Sequence, residues 1–121
     1  MRIFKNKWFQ RFVNKEGIID SELKEIAERL ENGQYDADLG GGVYKIRIAR
    51  PNEGKSGGYR VLVFFKIEER IIFRYGFPKS VIGNISQKEL KIMKKQAKAF
   101  FIQSDEHIER QMANGDLFEI V

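Results

Sequence analysis

Residues 40–80 read GGGVYKIRIARPNEGKSGGYRVLVFFKIEERIIFRYGFPKS, and this stretch decides the fold. Its apolar and charged residues alternate in a way that predicts three strands, at Val43 to Arg50, Tyr59 to Lys66 and Arg70 to Phe77. A polar loop joins the first two strands, and a Glu-Glu turn joins the last two. Strands this short and this closely connected pair as an antiparallel meander.

The same stretch carries the surplus positive charge of the chain. It holds nine Lys or Arg and three Glu, a net charge of +6, whereas the rest of the chain carries −1. Alternation places Lys45, Arg47 and Arg60 on one face of adjacent strands, without acidic residues between them. Like charges in this arrangement repel one another unless an anion binds. The pattern therefore favours an anionic partner over the alternative, an ordinary solvated sheet face with salt bridges.

Aromatic residues lie close to these cations in the sequence. Tyr59, Tyr75 and Phe77 are expected to offer stacking surfaces for unpaired bases. A basic, aromatic-bearing sheet in a small protein indicates a nucleic-acid surface.

Before the meander, the pattern predicts a short edge strand and two helices. Arg2 to Phe4 is the expected edge strand, and apolar residues at helical spacing follow from Lys7 to Lys15. Asp20 is the expected N-cap of the second helix, and Gly33 ends it. These helices form a predicted hairpin. The segment DADLGGG that follows, residues 36–42, is expected to be a loop or a place of close backbone approach, because consecutive glycines weaken regular structure.

After the meander, Ser86 and Glu89 have the spacing of a capping box at the start of a two-faced helix. Ser104 is predicted to cap a shorter helix that ends at Ala113, and Leu117 to Val121 is a predicted final strand on the sheet. The expected fold class is α+β, in which an N-terminal helical hairpin packs on a small antiparallel sheet and C-terminal helices follow.

Composition narrows the class of protein. The length of 121 residues predicts a single domain over 1–121. The chain has no cysteine and one histidine, which argues against thiol chemistry or a structural zinc site. We also expect no bound cofactor. No apolar run reaches the roughly 20 residues that span a bilayer. We therefore expect a cytoplasmic protein without a signal peptide, a membrane partner or a metal site.

The motifs resemble those of a known family. The run DADLGGGVYKIRIARPNEGKSGGYR, at residues 36–60, and the later YGFPKS, at residues 75–80, are similar to the RelE-like toxins of type II toxin–antitoxin modules, in particular the RelE/HigB-like group. That resemblance covers nearly the whole chain. It implies N-terminal helices on a four-stranded antiparallel sheet and a C-terminal helix. It also implies a cognate antitoxin, encoded by an adjacent gene, and a toxin that cuts messenger RNA on the ribosome and arrests growth by inhibiting translation.

The resemblance also implies roles for individual residues. Lys45 and Arg47 match two basic positions of one family strand, Arg60 matches the arginine after Gly-Tyr, and Lys79 roughly matches a basic residue after the meander. We expect Arg60 and Arg47 to stabilise transition-state charge. Lys45 is expected to act as a general base or to stabilise charge, and Lys79 to contact the leaving group or a flanking phosphate. The residues expected to add RNA binding are Arg50, Lys55, Tyr59, Arg74, Tyr75 and Phe77.

One departure from the family keeps alternatives open. Relatives carry a C-terminal tyrosine near the attacked nucleotide, and this chain has no tyrosine after Tyr75. The competing hypothesis is a non-catalytic, ParE-like inhibitor of a protein target such as gyrase. A third is an inactive domain whose basic face binds RNA or an acidic antitoxin segment.

Overall fold

The computed structural model describes residues 1–49, 58–78 and 85–121. The described residues form six strands and four helices. In chain order these are β1 (Arg2–Asn6), α1 (Lys7–Glu16), α2 (Asp20–Glu31), β2 (Ala37–Gly40), β3 (Val43–Ile48), β4 (Tyr59–Lys66), β5 (Arg70–Pro78), α3 (Gln87–Phe101), α4 (Asp105–Ala113) and β6 (Leu117–Ile120). The mixture of helices and strands agrees with the predicted α+β class.

All six strands join one sheet in the order β2-β3-β4-β5-β1-β6. The meander is confirmed, since β3 pairs antiparallel with β4 and β4 antiparallel with β5. The final strand also joins the sheet as predicted, beside β1.

Two predictions about the sheet are wrong. The strand at the N-terminus is interior rather than at the edge, and it runs parallel to β5, so the sheet is mixed. The segment Ala37–Gly40, expected to be a loop, pairs with β3 through an irregular register. The backbone has positive φ angles at Gly40, Gly41 and Gly42. Glycine adopts such angles readily because it lacks a Cβ atom, whereas other residues rarely do.

The helices cover both faces of the sheet. On face A, α1 and α2 bury apolar side chains against Ile46, Val61 and Phe73. On face B, α3 and α4 pack through Ala97, Phe100 and Ile108. The molecule is therefore layered helix–sheet–helix, with a core on each side of the sheet.

Capping side chains fix where the helices begin. Ser86 Oγ accepts a hydrogen bond from the Glu89 N–H at 3.1 Å, and Ser104 Oγ accepts one from the His107 N–H at 3.1 Å, as predicted. Asp20, however, is not the N-cap of α2, because that position belongs to Ile19. The Asp20 carboxylate instead accepts a hydrogen bond from the buried Lys5 Nζ at 2.9 Å, which ties β1 to α2.

No helix among the described residues is long and apolar enough to span a membrane.

Candidate functional site

Strand register brings the predicted cations together on face B. Arg47 lies directly opposite Arg60 in the β3–β4 pair, and Lys45 lies opposite Leu62. Opposed side chains in an antiparallel pair have Cβ atoms about 4.5–5.5 Å apart. We call Lys45, Arg47 and Arg60 the cationic patch. The register places all three on one face, as expected from alternation, while Arg47 also lines a groove with Arg29 of α2 and with Asp36.

The next strand continues both rows with aromatic side chains. Phe77 lies opposite Arg60, and Tyr75 lies opposite Leu62. Across β3, β4 and β5, face B therefore carries two neighbouring rows of side chains. One row consists of Arg47, Arg60 and Phe77, and the other consists of Lys45, Leu62 and Tyr75. Positive charge and aromatic surface thus lie side by side, one strand spacing of about 4.8 Å apart.

Helix α3 covers face B at the end of the strands that lies away from the cationic patch. The row formed by Val43, Phe64 and Ile72 is buried under Ala97 and Phe100. The cationic patch lies two to four residues further along the strands, where the side chains of Lys45 and Arg60 are partly exposed and Arg47 is exposed. The patch is therefore accessible to a ligand.

The three cations differ in their partners. Arg47 Nε lies 3.6 Å from Asp36 Oδ1, and 47% of the Arg47 side chain is exposed. Within the described part of the chain, the side chains of Lys45 and Arg60 make no hydrogen bond or ion pair. The sequence predicted that no acidic side chain lies beside these cations. This prediction is correct for Lys45 and Arg60 among the described residues and wrong for Arg47. Asp36 was missed because it precedes β2, which was not predicted.

The prediction for Tyr59 is wrong. This side chain is only 2% exposed and belongs to the face A core, on the opposite side of the sheet from Arg60. Its hydroxyl donates a hydrogen bond to Glu16 Oε2 at 2.7 Å. Successive residues of a strand point to opposite faces, so nearness to Arg60 in sequence places Tyr59 on the wrong face to stack with RNA.

Tyr75 and Phe77, in contrast, line an open groove of about 370 Å³ beside the patch, which we call the aromatic groove. Its walls are mainly apolar and consist of Trp8, Leu62, Tyr75, Gly76, Phe77, Ile85, Glu89 and Met93. Trp8, Glu89 and Met93 were not predicted to belong to the site. The pairing of β1 with β5 ends at Phe73, which leaves room for Trp8, at the start of α1, to lie beside the rest of β5.

Arg74 sits at an irregularity in the β4–β5 register and is engaged within the protein. Its guanidinium lies over the rings of Phe64 at 4.9 Å and Tyr75 at 5.5 Å, and Nη2 donates a hydrogen bond to Gln96 Oε1 at 3.0 Å. Burial lowers the pKa of Arg74 from its ordinary value. Contact with RNA would require this side chain to leave its partners under α3.

The remaining predicted site residues, Arg50, Lys55 and Lys79, lie outside the described residues. His107 belongs to α4, which contributes no described residue to the patch or the groove. Over residues 1–49, 58–78 and 85–121, no group of three or more His, Asp or Glu is placed to hold a metal ion.

The arrangement suits a phosphodiester chain. Arginine presents a planar fork of donors that matches two phosphate oxygens, and lysine adds a compact charge. Bases attached to such a chain can reach aromatic surface on the neighbouring strand.

The sequence was also compared with known proteins. A family model described as the RelE toxin of the RelE/RelB toxin–antitoxin system matches residues 1–120. No match was found among curated proteins.

Proposed function

This chain belongs to the RelE toxin family of RelE/RelB toxin–antitoxin systems, and from that membership we propose that it is an mRNA interferase. In this proposal it cleaves messenger RNA on the ribosome in the cytoplasm, and so inhibits translation, until a cognate antitoxin binds it. The observation that carries the proposal is the row of Arg47, Arg60 and Phe77 beside the row of Lys45, Leu62 and Tyr75. Together they form an open surface for a phosphate and an adjoining base.

The proposed reaction uses the nucleophile that RNA itself carries. The 2′-oxygen attacks the adjacent phosphorus as the bond from phosphorus to the 5′-oxygen breaks. The products are a 2′,3′-cyclic phosphate and a 5′-hydroxyl. A proton leaves the 2′-OH and one is delivered to the departing 5′-oxygen. Because the 2′-OH supplies the nucleophile, the protein needs to align it and to stabilise charge on the phosphoryl oxygens.

We assign the residues of the cationic patch to these tasks. Arg60 and Arg47 contact the phosphoryl oxygens, where negative charge builds up in the transition state. Lys45, one row away, accepts the proton of the 2′-OH or adds to charge stabilisation. Lys79, outside the described residues, contacts the leaving group or a flanking phosphate.

Replacing Arg60 tests the proposal most directly. Arg60→Ala removes a cation that has no described partner, so the fold is expected to persist while RNA cleavage falls by about 100-fold or more. The measurement is growth after induced expression, together with primer extension on a reporter transcript and circular dichroism of the purified variant. Lys98→Ala, which removes an exposed lysine of α3, is the matched control and should remain toxic. Full toxicity of a folded Arg60→Ala variant would contradict the assignment.

A second candidate function follows from the absence of any tyrosine after Tyr75. A toxin without a group to assist the attacked nucleotide would act as a ParE-like, non-catalytic inhibitor of a protein such as gyrase. Primer extension separates the two candidates. Cuts at defined codon positions support the interferase, whereas intact transcripts together with blocked DNA supercoiling support the inhibitor.

A further inference from the structure

The aromatic groove contains an exposed tryptophan that is held in a fixed position. Trp8 stacks on Phe12 with ring centroids 5.4 Å apart and planes at 17°, and it meets Tyr75 edge-on at 5.4 Å. Yet 43% of Trp8 remains exposed. A large apolar side chain that is held by neighbours and still open to solvent is typical of a binding surface.

The groove continues directly from the cationic patch. Phe77 and Leu62, which line the groove, lie opposite Arg60 and Lys45 respectively in the strand register. A phosphate held by the patch therefore places an attached nucleoside at the mouth of the groove. Its volume of about 370 Å³ leaves room for one planar base against Trp8, Tyr75 and Met93.

Glu89 gives the apolar groove a polar wall. Its backbone N–H is held by Ser86 Oγ at 3.1 Å, which fixes the residue in the first turn of α3. In α2, the equivalent Glu22 carboxylate turns back and accepts a hydrogen bond from the Ile19 N–H at 3.0 Å. Among the described residues, the Glu89 carboxylate accepts no such bond and forms no ion pair. The sequence predicted a complete capping box here, and only the serine half forms.

A carboxylate at this position would distinguish between bases. An ionised carboxylate only accepts hydrogen bonds. Guanine presents two neighbouring donors on its Watson–Crick edge, the N1–H and the exocyclic amino group, which match the two carboxylate oxygens. Adenine presents one donor beside an acceptor, and uracil presents one donor between two acceptors.

We propose that the aromatic groove is a guanine-selective base site, in which Trp8, Tyr75 and Met93 contact the base and Glu89 accepts hydrogen bonds from its Watson–Crick edge. The proposal rests on the proposed function, since it assigns the groove to the RNA that the cationic patch holds. It adds a specificity residue, Glu89, and a base contact, Trp8, to that surface.

Fluorescence of Trp8 tests the proposal on the isolated full-length protein. Trp8 is the only tryptophan of the chain, so its emission reports on this groove alone. Titration with guanosine 3′-monophosphate should change the emission saturably, with an affinity about tenfold higher than that of the adenosine and uridine 3′-monophosphates. Equal affinities for the three nucleotides, or no change of emission at millimolar nucleotide, would overturn the proposal.

Two variants test which residue contacts the base of the nucleotide and which contacts its phosphate. Glu89→Gln should reduce the preference for guanine over uracil to about twofold, while Glu106→Gln, which alters an exposed acid of α4, should leave it unchanged. Arg60→Ala should weaken binding of guanosine 3′-monophosphate and leave that of guanosine itself unaltered. A Glu89→Gln variant that retains the full preference would overturn the role of Glu89.

The outcomes also separate this inference from the nuclease proposal. Selective emission changes in a protein that leaves messenger RNA uncut would support the base site and contradict the nuclease. If the protein cleaves messenger RNA but its Trp8 emission responds equally to all three nucleotides, the base site is contradicted and the nuclease is supported.

Discussion

At the scale of single residues, Gly76 determines how the aromatic groove is built. A Cβ atom at this position would overlap the ring of Phe12, since β5 passes directly beneath that ring. Phe12 in turn stacks on Trp8 and meets Tyr59 edge-on at 5.3 Å. The absence of a side chain at Gly76 therefore allows Phe12 to support Trp8 from below.

Gly76→Ala is expected to lower the free energy of unfolding by about 1–3 kcal/mol, because an extra methyl group in a packed site forces its neighbours to shift. Urea unfolding followed by far-ultraviolet circular dichroism measures the loss. In a Phe12→Ala background the ring is gone, so the added methyl group should cost much less, as contacting residues do not act additively. An equal cost in both backgrounds would show that Phe12 is not the obstacle.

At the scale of elements, Arg2 ties three of them together. Its Nε donates a hydrogen bond to Glu119 Oε2 of β6 at 2.9 Å, and its Nη2 donates one to Glu109 Oε1 of α4 at 2.9 Å. The hydrogen bond from Arg2 lowers the pKa of Glu119 below its ordinary value. This cluster fixes β1 and β6 against α4 at the end of face B.

The lowered pKa of Glu119 predicts a dependence of stability on pH. A carboxyl group whose pKa is lower in the folded state stabilises the fold above its unfolded pKa, about 4.3 for glutamate. That stabilisation is lost as the pH falls through the lower, folded pKa. At pH 7 the wild type should therefore exceed Glu119→Gln by about 1 kcal/mol in free energy of unfolding, as expected of a partly exposed ion pair.

Denaturant unfolding of both proteins from pH 7 downwards checks this expectation. The difference between them should persist to about pH 4.3 and then shrink. A difference that stays constant down to the lowest pH at which both proteins fold would argue against the pair of Arg2 and Glu119 as its source.

At the scale of the whole molecule, the surplus charge is concentrated where it has few partners. The chain carries a net charge of +5, but several cations outside the patch are neutralised within the protein. Lys66 Nζ lies 2.9 Å from Glu69 Oε2, and Arg70 Nη2 lies 3.1 Å from Asp105 Oδ1. Lys45 and Arg60 have no such partner among the described residues, so the open end of face B attracts anions.

This charge distribution predicts how salt affects the proposed binding of RNA. For single-stranded RNA, the logarithm of the affinity should fall linearly with the logarithm of the salt concentration, with a slope of about −0.7 per phosphate neutralised. Arg60→Ala should make the slope shallower by about 0.7, because one phosphate contact is lost. Fluorescence anisotropy of a labelled oligonucleotide provides the measurement, and Lys98→Ala should retain the wild-type slope. A larger effect of Lys98→Ala than of Arg60→Ala would place the binding surface on α3 instead.

Local patterns in the sequence were sufficient for the meander, for the caps at Ser86 and Ser104, and for the common face of Lys45, Arg47 and Arg60. Each depends on alternation along a strand, on the pairing of strands that follow one another in the chain, or on a side chain bonding to the nearby backbone. The same alternation places Tyr59 and Arg60 on opposite faces of the sheet, although they are neighbours in sequence.

The tertiary structure alone decided the place of β1 and the meeting of Trp8 with Tyr75 and Glu89. These features join segments that are distant in the chain, and nothing within a short window of sequence specifies which distant segment will be the neighbour. The neighbour is selected when all apolar surfaces are buried together and the backbone groups of every strand find partners. The sequence by itself therefore determined a basic sheet face, and only the packing of α1 and α3 around β5 placed an aromatic groove beside it.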